Sequence, residues 1–132
     1  MSKSAIYAVN TNAGTAIPAG GTYPITRVIR RYGCDITSDG VGISCNSKGY
    51  YKVDAVATLV ATDAGVITAS LYENGVAVPG ASSAVTAAAG DTVVLPIDAI
   101  VRVNCCGNPA TLTIVVSGAG TSVNAEMSVF KL

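Results

Sequence analysis

Four cysteines are the residues of this 132-residue chain best suited to chemistry, because thiolates bind metals, form disulfides and act as nucleophiles. They are Cys34, Cys45, Cys105 and Cys106. The C-x-x-C spacing that turns two thiolates toward one zinc ion is missing, and adjacent cysteines on a strand point to opposite faces. The sequence therefore predicts no metal site. In a cytoplasmic protein we expect reduced, largely buried thiols, and the alternatives are a disulfide between Cys34 and Cys45 or one formed after cell lysis.

Acid–base chemistry is poorly supplied, because the chain has no histidine and therefore no Ser-His or Cys-His pair. Neither paired carboxylates nor a Ser-Lys dyad has a recognisable motif around it. Asp35 and Asp39 precede Gly40 but lack the ligand order of a calcium loop, so they are predicted to form a turn. Residues 118–121 resemble half a phosphate-binding loop, yet a strand follows, so a hairpin turn is predicted there. These observations predict a non-enzymatic protein without catalytic residues or a cofactor.

The elements that would position any site are strands, and residues 49–80 carry the clearest signal. Apolar residues recur with a period of two over residues 51–61, which predicts that they share one face of a long strand. Residues 63–65 are predicted to join it to a second strand over residues 66–72. Asn74-Gly75 supplies the positive-φ positions of a two-residue hairpin turn, and Pro79-Gly80 is expected to close the return strand.

These segments resemble a known family. The carrying residues are Gly49-Tyr50-Tyr51-Lys52-Val53 followed by Tyr72-Glu73-Asn74-Gly75-Val76-Ala77-Val78-Pro79-Gly80. They are similar to the "GxYxV... xxNGxxVPG" pattern of tumour necrosis factor (TNF)-like jelly rolls. Among these the chain resembles the C-terminal domains of collagen-like spore-surface glycoproteins and related phage virion proteins, over about residues 40–132. The resemblance implies a homotrimer, although the collagen Gly-X-Y tract of the spore glycoproteins is absent from this sequence.

Strand counting predicts the same all-β class, with the strand spacing of a sandwich or jelly roll. Together with the resemblance, this implies a TNF-like jelly-roll sandwich of about 8–10 antiparallel strands. A short hairpin is expected over residues 35–45. Pro96 interrupts an otherwise regular alternation over residues 93–103, which predicts an edge strand or a bulge because proline donates no ladder hydrogen bond.

Charged residues make up only 12% of the chain, about half the usual fraction of roughly 25%. We therefore expect much of the surface to face other copies or a larger assembly.

The formal net charge of zero gives no field that would attract nucleic acid or an anionic membrane. Residues 5–9 are too short for a secretory apolar region, so assembly in a host cytoplasm is expected. Gly, Asn and Pro interrupt the uncharged residues 103–125, so no transmembrane segment is predicted.

Two regions are expected in the chain, namely an N-terminal arm with the first strands (residues 1–32) and a jelly-roll domain (residues 33–132). Arg27, Arg30 and Arg31 fall close together at the end of the first region. They form either a solvated strand face or a basic edge that docks on an acidic partner surface such as a capsid shell. In the second case residues 1–32 are an attachment segment.

The predicted function is that of a trimeric virion structural protein, a capsid decoration or head-fibre protein located on the capsid surface. Its partners would be itself and the major capsid protein or another virion component, with no nucleic acid and no membrane. The alternative is a receptor- or glycan-binding tip, or a spore-surface adhesin module, of the same fold. Tyr50, Tyr51 and Tyr72 would form a sugar-stacking platform in that case, and otherwise pack in the core or at a trimer interface.

Overall fold

The segments with a two-residue apolar period form the strands of an all-β sandwich. The structure is a computed structural model that describes residues 3–104 and 109–132. Cys105 and Cys106 lie outside the described residues. The strands are β1 (Ala5–Asn10), β2 (Ala16–Ile17), β3 (Gly21–Tyr23), β4 (Arg27–Tyr32), β5 (Ile36–Ser38), β6 (Ile43–Cys45), β7 (Gly49–Ala61), β8 (Gly65–Glu73), β9 (Val76–Ala87), β10 (Thr92–Val103), β11 (Ala110–Val116) and β12 (Gly120–Lys131). The described residues contain no helix long and apolar enough to span a lipid bilayer.

Two antiparallel sheets of six strands each form the sandwich. Sheet A has the strand order β10-β7-β12-β1-β4, with β2 also paired to β12. Sheet B has the order β5-β6-β11-β8-β9, with β3 also paired to β11. The long strands β7 and β8 follow each other in the chain but belong to different sheets, so the connection at residues 62–64 crosses the sandwich. This topology is that of a jelly roll.

The core lies between the sheets and is built from small and branched side chains. Alternate residues of β7 are buried as predicted, from Tyr51 to Ala61. The facing sheet contributes Leu71, and the neighbouring strand β12 of sheet A contributes Met127, both fully buried. Three of the β7 core positions are alanine, and burying such small side chains lets the two sheets approach closely.

The predicted hairpin turn is present between β8 and β9. Asn74 has φ 52° and Gly75 has φ 83°, the left-handed conformation that this turn requires at both central positions. The return strand differs from the prediction, because β9 continues past Gly80 to Ala87. A register shift between Ser70 and Tyr72 absorbs the irregular residues around Pro79, so pairing resumes beyond them.

Strand β10 lies at an edge of sheet A and pairs with β7, as the proline in its middle predicted. The short hairpin of β5 and β6 is also confirmed. At its turn the carboxylate of Asp39 accepts the backbone N–H groups of Val41 and Gly42, at 2.9 and 2.7 Å. Asp39 is thus a turn former, because its side chain replaces backbone partners that the tight turn lacks.

Residues before position 33 are part of the sandwich. Strand β1 lies between β12 and β4 in sheet A, and its Ile6 and Ala8 are buried. Tyr23 and Ile25 are also fully buried in the same core. Residues 5–32 therefore share one hydrophobic core with the rest of the chain.

Candidate functional site

The two described cysteines are free, so the alternative disulfide between Cys34 and Cys45 is not formed. Cys45 is buried as predicted, whereas Cys34 is exposed. Burial, and secondarily the negative charge of Glu73, raises the pKa of the Cys45 thiol to about 12. A thiol that stays protonated is a poor nucleophile and a poor metal ligand. Cys45 is consequently a core residue.

The Asp35 carboxylate takes part in an ion pair, whereas that of Asp39 accepts backbone N–H groups of its own turn. Asp35 forms an ion pair with Lys131, with 3.3 Å between Oδ2 and Nζ. Lys131 also donates to the hydroxyl of Ser47 at 2.9 Å, and Ser4 donates to the Asp35 carboxylate at 3.3 Å. The cluster joins the end of β12 to two loops. Within residues 3–104 and 109–132, no group of three or more His, Cys, Asp or Glu side chains is arranged to hold a metal ion.

The three tyrosines considered for a sugar platform lie on different surfaces. Tyr51 is fully buried, and its hydroxyl donates to the Ser47 carbonyl at 2.7 Å. Tyr50 projects from the opposite face of the same strand and is exposed. Tyr72 is half-buried in sheet B, paired with Thr113 of β11. The three rings therefore cannot form one platform.

The surface with the most distinctive composition is the outer face of sheet A, the side turned away from the core. Directly paired residues of neighbouring strands share a face, so the strand register identifies its members. Six of the twelve large apolar side chains exposed among the described residues lie on this face, and they are Tyr7, Tyr32, Tyr50, Val94, Ile100 and Phe130. An apolar concentration of this kind on one sheet face is typical of a protein interface.

One row of residues crosses the outer face of sheet A at a single level. We call it the Asp54 row, and its successive neighbours are Asp98, Asp54, Ser128, Tyr7 and Arg30. The row begins with two carboxylates and ends with a guanidinium. Lys52 contacts both carboxylates, with 3.7 Å to Asp54 and a closer approach to Asp98. No local sequence pattern signals this pair, since strand pairing brings together residues that are far apart in the chain.

The next row across the outer face is largely apolar. It contains Ile100, Lys52, Phe130, Ala5 and Tyr32 as successive neighbours. At its β4 end a shallow groove of about 390 Å³ lies among the side chains of both rows, with Tyr7, Tyr32 and Phe130 in its walls. At the other end the guanidinium of Arg102 lies over the ring of Tyr50, 5.7 Å from the centroid. This cation–π contact keeps a charge on the face while covering an aromatic surface.

The three arginines of β4 do not share one face. Arg27 and Arg30 pair with Val9 and Tyr7, so they lie on the outer face of sheet A. Arg31 pairs with the core residue Ile6 and lies on the opposite side. Adjacent residues of a strand point to opposite faces, which separates Arg30 from Arg31. Arg27 and Arg30 are three residues apart and share a face because the register shifts between Tyr7 and Ala8, which the sequence did not predict. Within the described part of the chain, none of the three arginines forms an ion pair.

Sheet B presents a different outer face. Its paired outward residues are hydroxyl-rich, with Thr68 and Ser70 on β8 and Thr111 and Thr113 on β11. No charged side chain lies among the outward positions of its described strands. The two sides of the sandwich therefore differ in kind, and the charged and large apolar groups are concentrated on sheet A.

No protein-family model and no curated protein matches the sequence. Solved structures are similar over nearly the whole chain. The PRD1 vertex protein P5 has a TM-score of 0.68 and 16% identity, and the match covers 98% of this chain and 96% of that one. Murine APRIL has a TM-score of 0.72 and 12% identity, with coverage of 99% and 100%.

The Eiger TNF from S. frugiperda has a TM-score of 0.66 and 12% identity, with coverage of 98% of this chain and 91% of that one. At these identities the likeness concerns the fold. It agrees with the two antiparallel sheets and the jelly-roll strand order described above. The chain therefore has the TNF-like jelly-roll fold that its residues 49–80 predicted.

Proposed function

We propose that this chain is a non-enzymatic structural protein of a phage virion, and that it assembles into a homotrimer through the outer face of sheet A. The observation that carries the proposal is the concentration of exposed aromatic and branched side chains on that face. Covering them with other copies removes apolar surface from water, at about 25 cal/mol per Å². The hydroxyl-rich outer face of sheet B then remains as the solvated exterior of the assembly.

A virion role is supported by the likeness to PRD1 P5, which its own description calls a vertex protein. Within a virion we propose a capsid decoration or head-fibre protein on the capsid surface, bound to the major capsid protein or another component. Of the three β4 arginines, Arg31 lies on the side opposite the proposed homotrimer interface. It is suited to contact an acidic partner surface, because it has no ionic partner within the described part of the chain.

Native mass measurement tests the assembly. The wild-type protein is expected to have three times the mass of one chain at micromolar concentration. Ile100→Glu and Phe130→Glu each place a charge in the apolar row of the proposed interface and should yield folded monomers. The matched control is Val66→Glu, because Val66 is a branched apolar side chain about as exposed as Ile100, at 62% against 58%, but belongs to sheet B. A wild-type protein that stays monomeric would refute the homotrimer.

Electron microscopy of intact particles tests the location. Trimeric density of this size on the capsid shell is the expected result. Density at the end of a tail or fibre, together with specific binding on a glycan array, would instead support the receptor- or glycan-binding tip and overturn the decoration role.

A further inference from the structure

We infer that Arg30 of one copy forms an ion pair with the Asp54 and Asp98 carboxylates of the next copy of this chain. The inference rests on the proposed self-association and adds the polar contact that orients the copies. It assigns opposite ends of the Asp54 row to the two sides of one interface.

The acidic end of the row has more negative than positive charge. Asp54 and Asp98 lie directly opposite each other on β7 and β10, an arrangement in which like charges repel. Lys52 is the cation that contacts both of them. Their side chains are 52% and 66% exposed, so the second carboxylate charge is accessible to a partner. One net negative charge is left at this end for an outside cation.

The basic end supplies such a cation. Arg30 lies on the outer face, on strand β4 at the edge of sheet A. Its neighbour in the row, Tyr7, is already engaged, because its hydroxyl donates to the carboxylate of Glu126 at 3.1 Å. That carboxylate is thus turned toward Tyr7. A guanidinium on an accessible edge matches a pair of carboxylates in geometry as well as in charge.

Symmetry brings the two ends together. In a closed ring of identical copies, one part of a surface contacts a different part of the same surface on the next copy. If the symmetry axis runs parallel to the strands, rotation about it does not change the position of a residue along that axis. The basic end of the Asp54 row on one copy then meets the acidic end of the same row on its neighbour. Opposite charges at one level make this register complementary.

The adjacent row would strengthen the contact. Ile100 borders the acidic end and Tyr32 borders the basic end, so both sides bring large apolar groups to the junction. Packing of these groups excludes water from the ion pair, and lower local polarity increases the attraction between its charges. The apolar row supplies affinity and the charged row supplies register.

A charge swap tests the pairing in the full-length protein, with the dissociation constant of the assembly measured by sedimentation on dilution. Arg30→Glu and Asp98→Arg should each weaken assembly about tenfold or more, because each places like charges against one another. The double variant restores opposite charges and should return to within about threefold of the wild type, since only direct partners are coupled in this way. Arg31→Glu is the matched control, because it makes the same change on the opposite side of β4 and should leave the constant unchanged.

The possible results separate this inference from the proposed function. If the wild type assembles and Arg30→Glu leaves its dissociation constant unchanged, self-association stands and the ion pair is refuted. A double variant no better than the sum of the two single changes refutes it equally. If the wild type is monomeric at every concentration, the homotrimer fails and this contact fails with it. Circular dichroism of each variant confirms that the chain is folded.

Discussion

The hydroxyl of Tyr23 accepts a hydrogen bond from the backbone N–H of Val123 at 3.2 Å, although the two residues belong to opposite sheets. The same hydroxyl donates to the carbonyl of Thr58 at 2.8 Å. Val123 lies where the register of β12 against β7 shifts, between Ser122 and Asn124. A bulge leaves backbone groups unpaired, and the Tyr23 hydroxyl satisfies one on each strand. A side chain from sheet B thus completes the hydrogen bonding of sheet A.

Tyr23→Phe should lower the free energy of unfolding by about 1–3 kcal/mol, because it removes the partly buried hydrogen bonds of the hydroxyl to the Thr58 carbonyl and the Val123 amide. Urea denaturation measures this as a lower midpoint with an unchanged m-value. Tyr32→Phe removes the same atom from an exposed ring and should change stability by less than about 0.5 kcal/mol. Equal effects of the two substitutions would show that the bridging hydroxyl contributes nothing specific.

The contrast between Tyr23 and the residues of β7 shows what the sequence could predict. Alternation over residues 51–61 identified a core face, because a long strand repeats the same signal many times. Asn74-Gly75 and Pro96 each carry a local backbone constraint that specifies a turn or an edge on its own. Strands β2 and β3 have two and three residues and are too short to show periodicity. The burial of Tyr23 and the hydrogen bonds of its hydroxyl to sheet A therefore could not be predicted.

The candidate interface was harder to predict for a related reason. The low fraction of charged residues predicts that an interface exists. It does not identify the residues of that interface, because they are brought together by pairing between strands that are distant in sequence. The opposition of Asp54 and Asp98 requires the register of β7 and β10. The shared face of Arg27 and Arg30 requires the bulge between β1 and β4, since residues three apart on a regular strand point to opposite faces. Neither the register nor the bulge is encoded in a local pattern.

Asn74 contributes both a backbone conformation and a side-chain contact, and two substitutions separate them. Its side-chain oxygen accepts the N–H of Thr111 at 2.8 Å while its backbone holds φ 52°. Asn74→Gly keeps the turn but loses the contact, which should cost about 1 kcal/mol. Asn74→Ala loses both and should cost about 2 kcal/mol, because alanine is strained in the left-handed region. Thermal unfolding with calorimetry measures the difference, and an alanine variant as stable as the glycine variant would contradict the conformational part.

The ion pair of Lys131 and Asp35 is shielded from solvent, with side-chain exposures of 15% and 18%. Lys131→Met removes the cation of this shielded ion pair, so we expect a loss of about 2 kcal/mol. Lys3→Met, at an exposed lysine, should change stability by less than about 0.5 kcal/mol. Chemical denaturation of both variants measures these values.

A double-mutant cycle checks that the loss belongs to the pair. Adding Asp35→Asn to Lys131→Met removes the carboxylate charge that Lys131 balanced and should recover part of the stability, about 1 kcal/mol. The Lys131 side chain also lies against Gly49. If the losses from the two single changes simply add, Lys131 stabilises the protein through the packing of its methylene groups on Gly49 and not through the ion pair.

The buried thiol of Cys45 should make stability depend on pH in the alkaline range. Its pKa is raised from 9.0 to about 12, so the folded state holds the proton more tightly than the unfolded state does. The resulting stabilisation is fully present below the unfolded pKa and disappears as the pH rises through the folded one. Burial also raises the pKa of Tyr23, although hydrogen bonds from the Val123 and Asn124 amides oppose the shift, so the wild type loses stability from both groups.

Cys45→Ala isolates the contribution of the Cys45 thiol to the pH dependence of stability. Between about pH 9 and about pH 11, the free energy of unfolding of this variant should fall by about 2 kcal/mol less than that of the wild type, since one raised thiol pKa no longer contributes. Cys34→Ala, at the exposed cysteine, should retain the wild-type pH dependence. Denaturation series across this pH range measure the slopes. Alanine also leaves a small cavity, which lowers stability by the same amount at every pH, so the change in slope rather than this constant offset reports the buried proton.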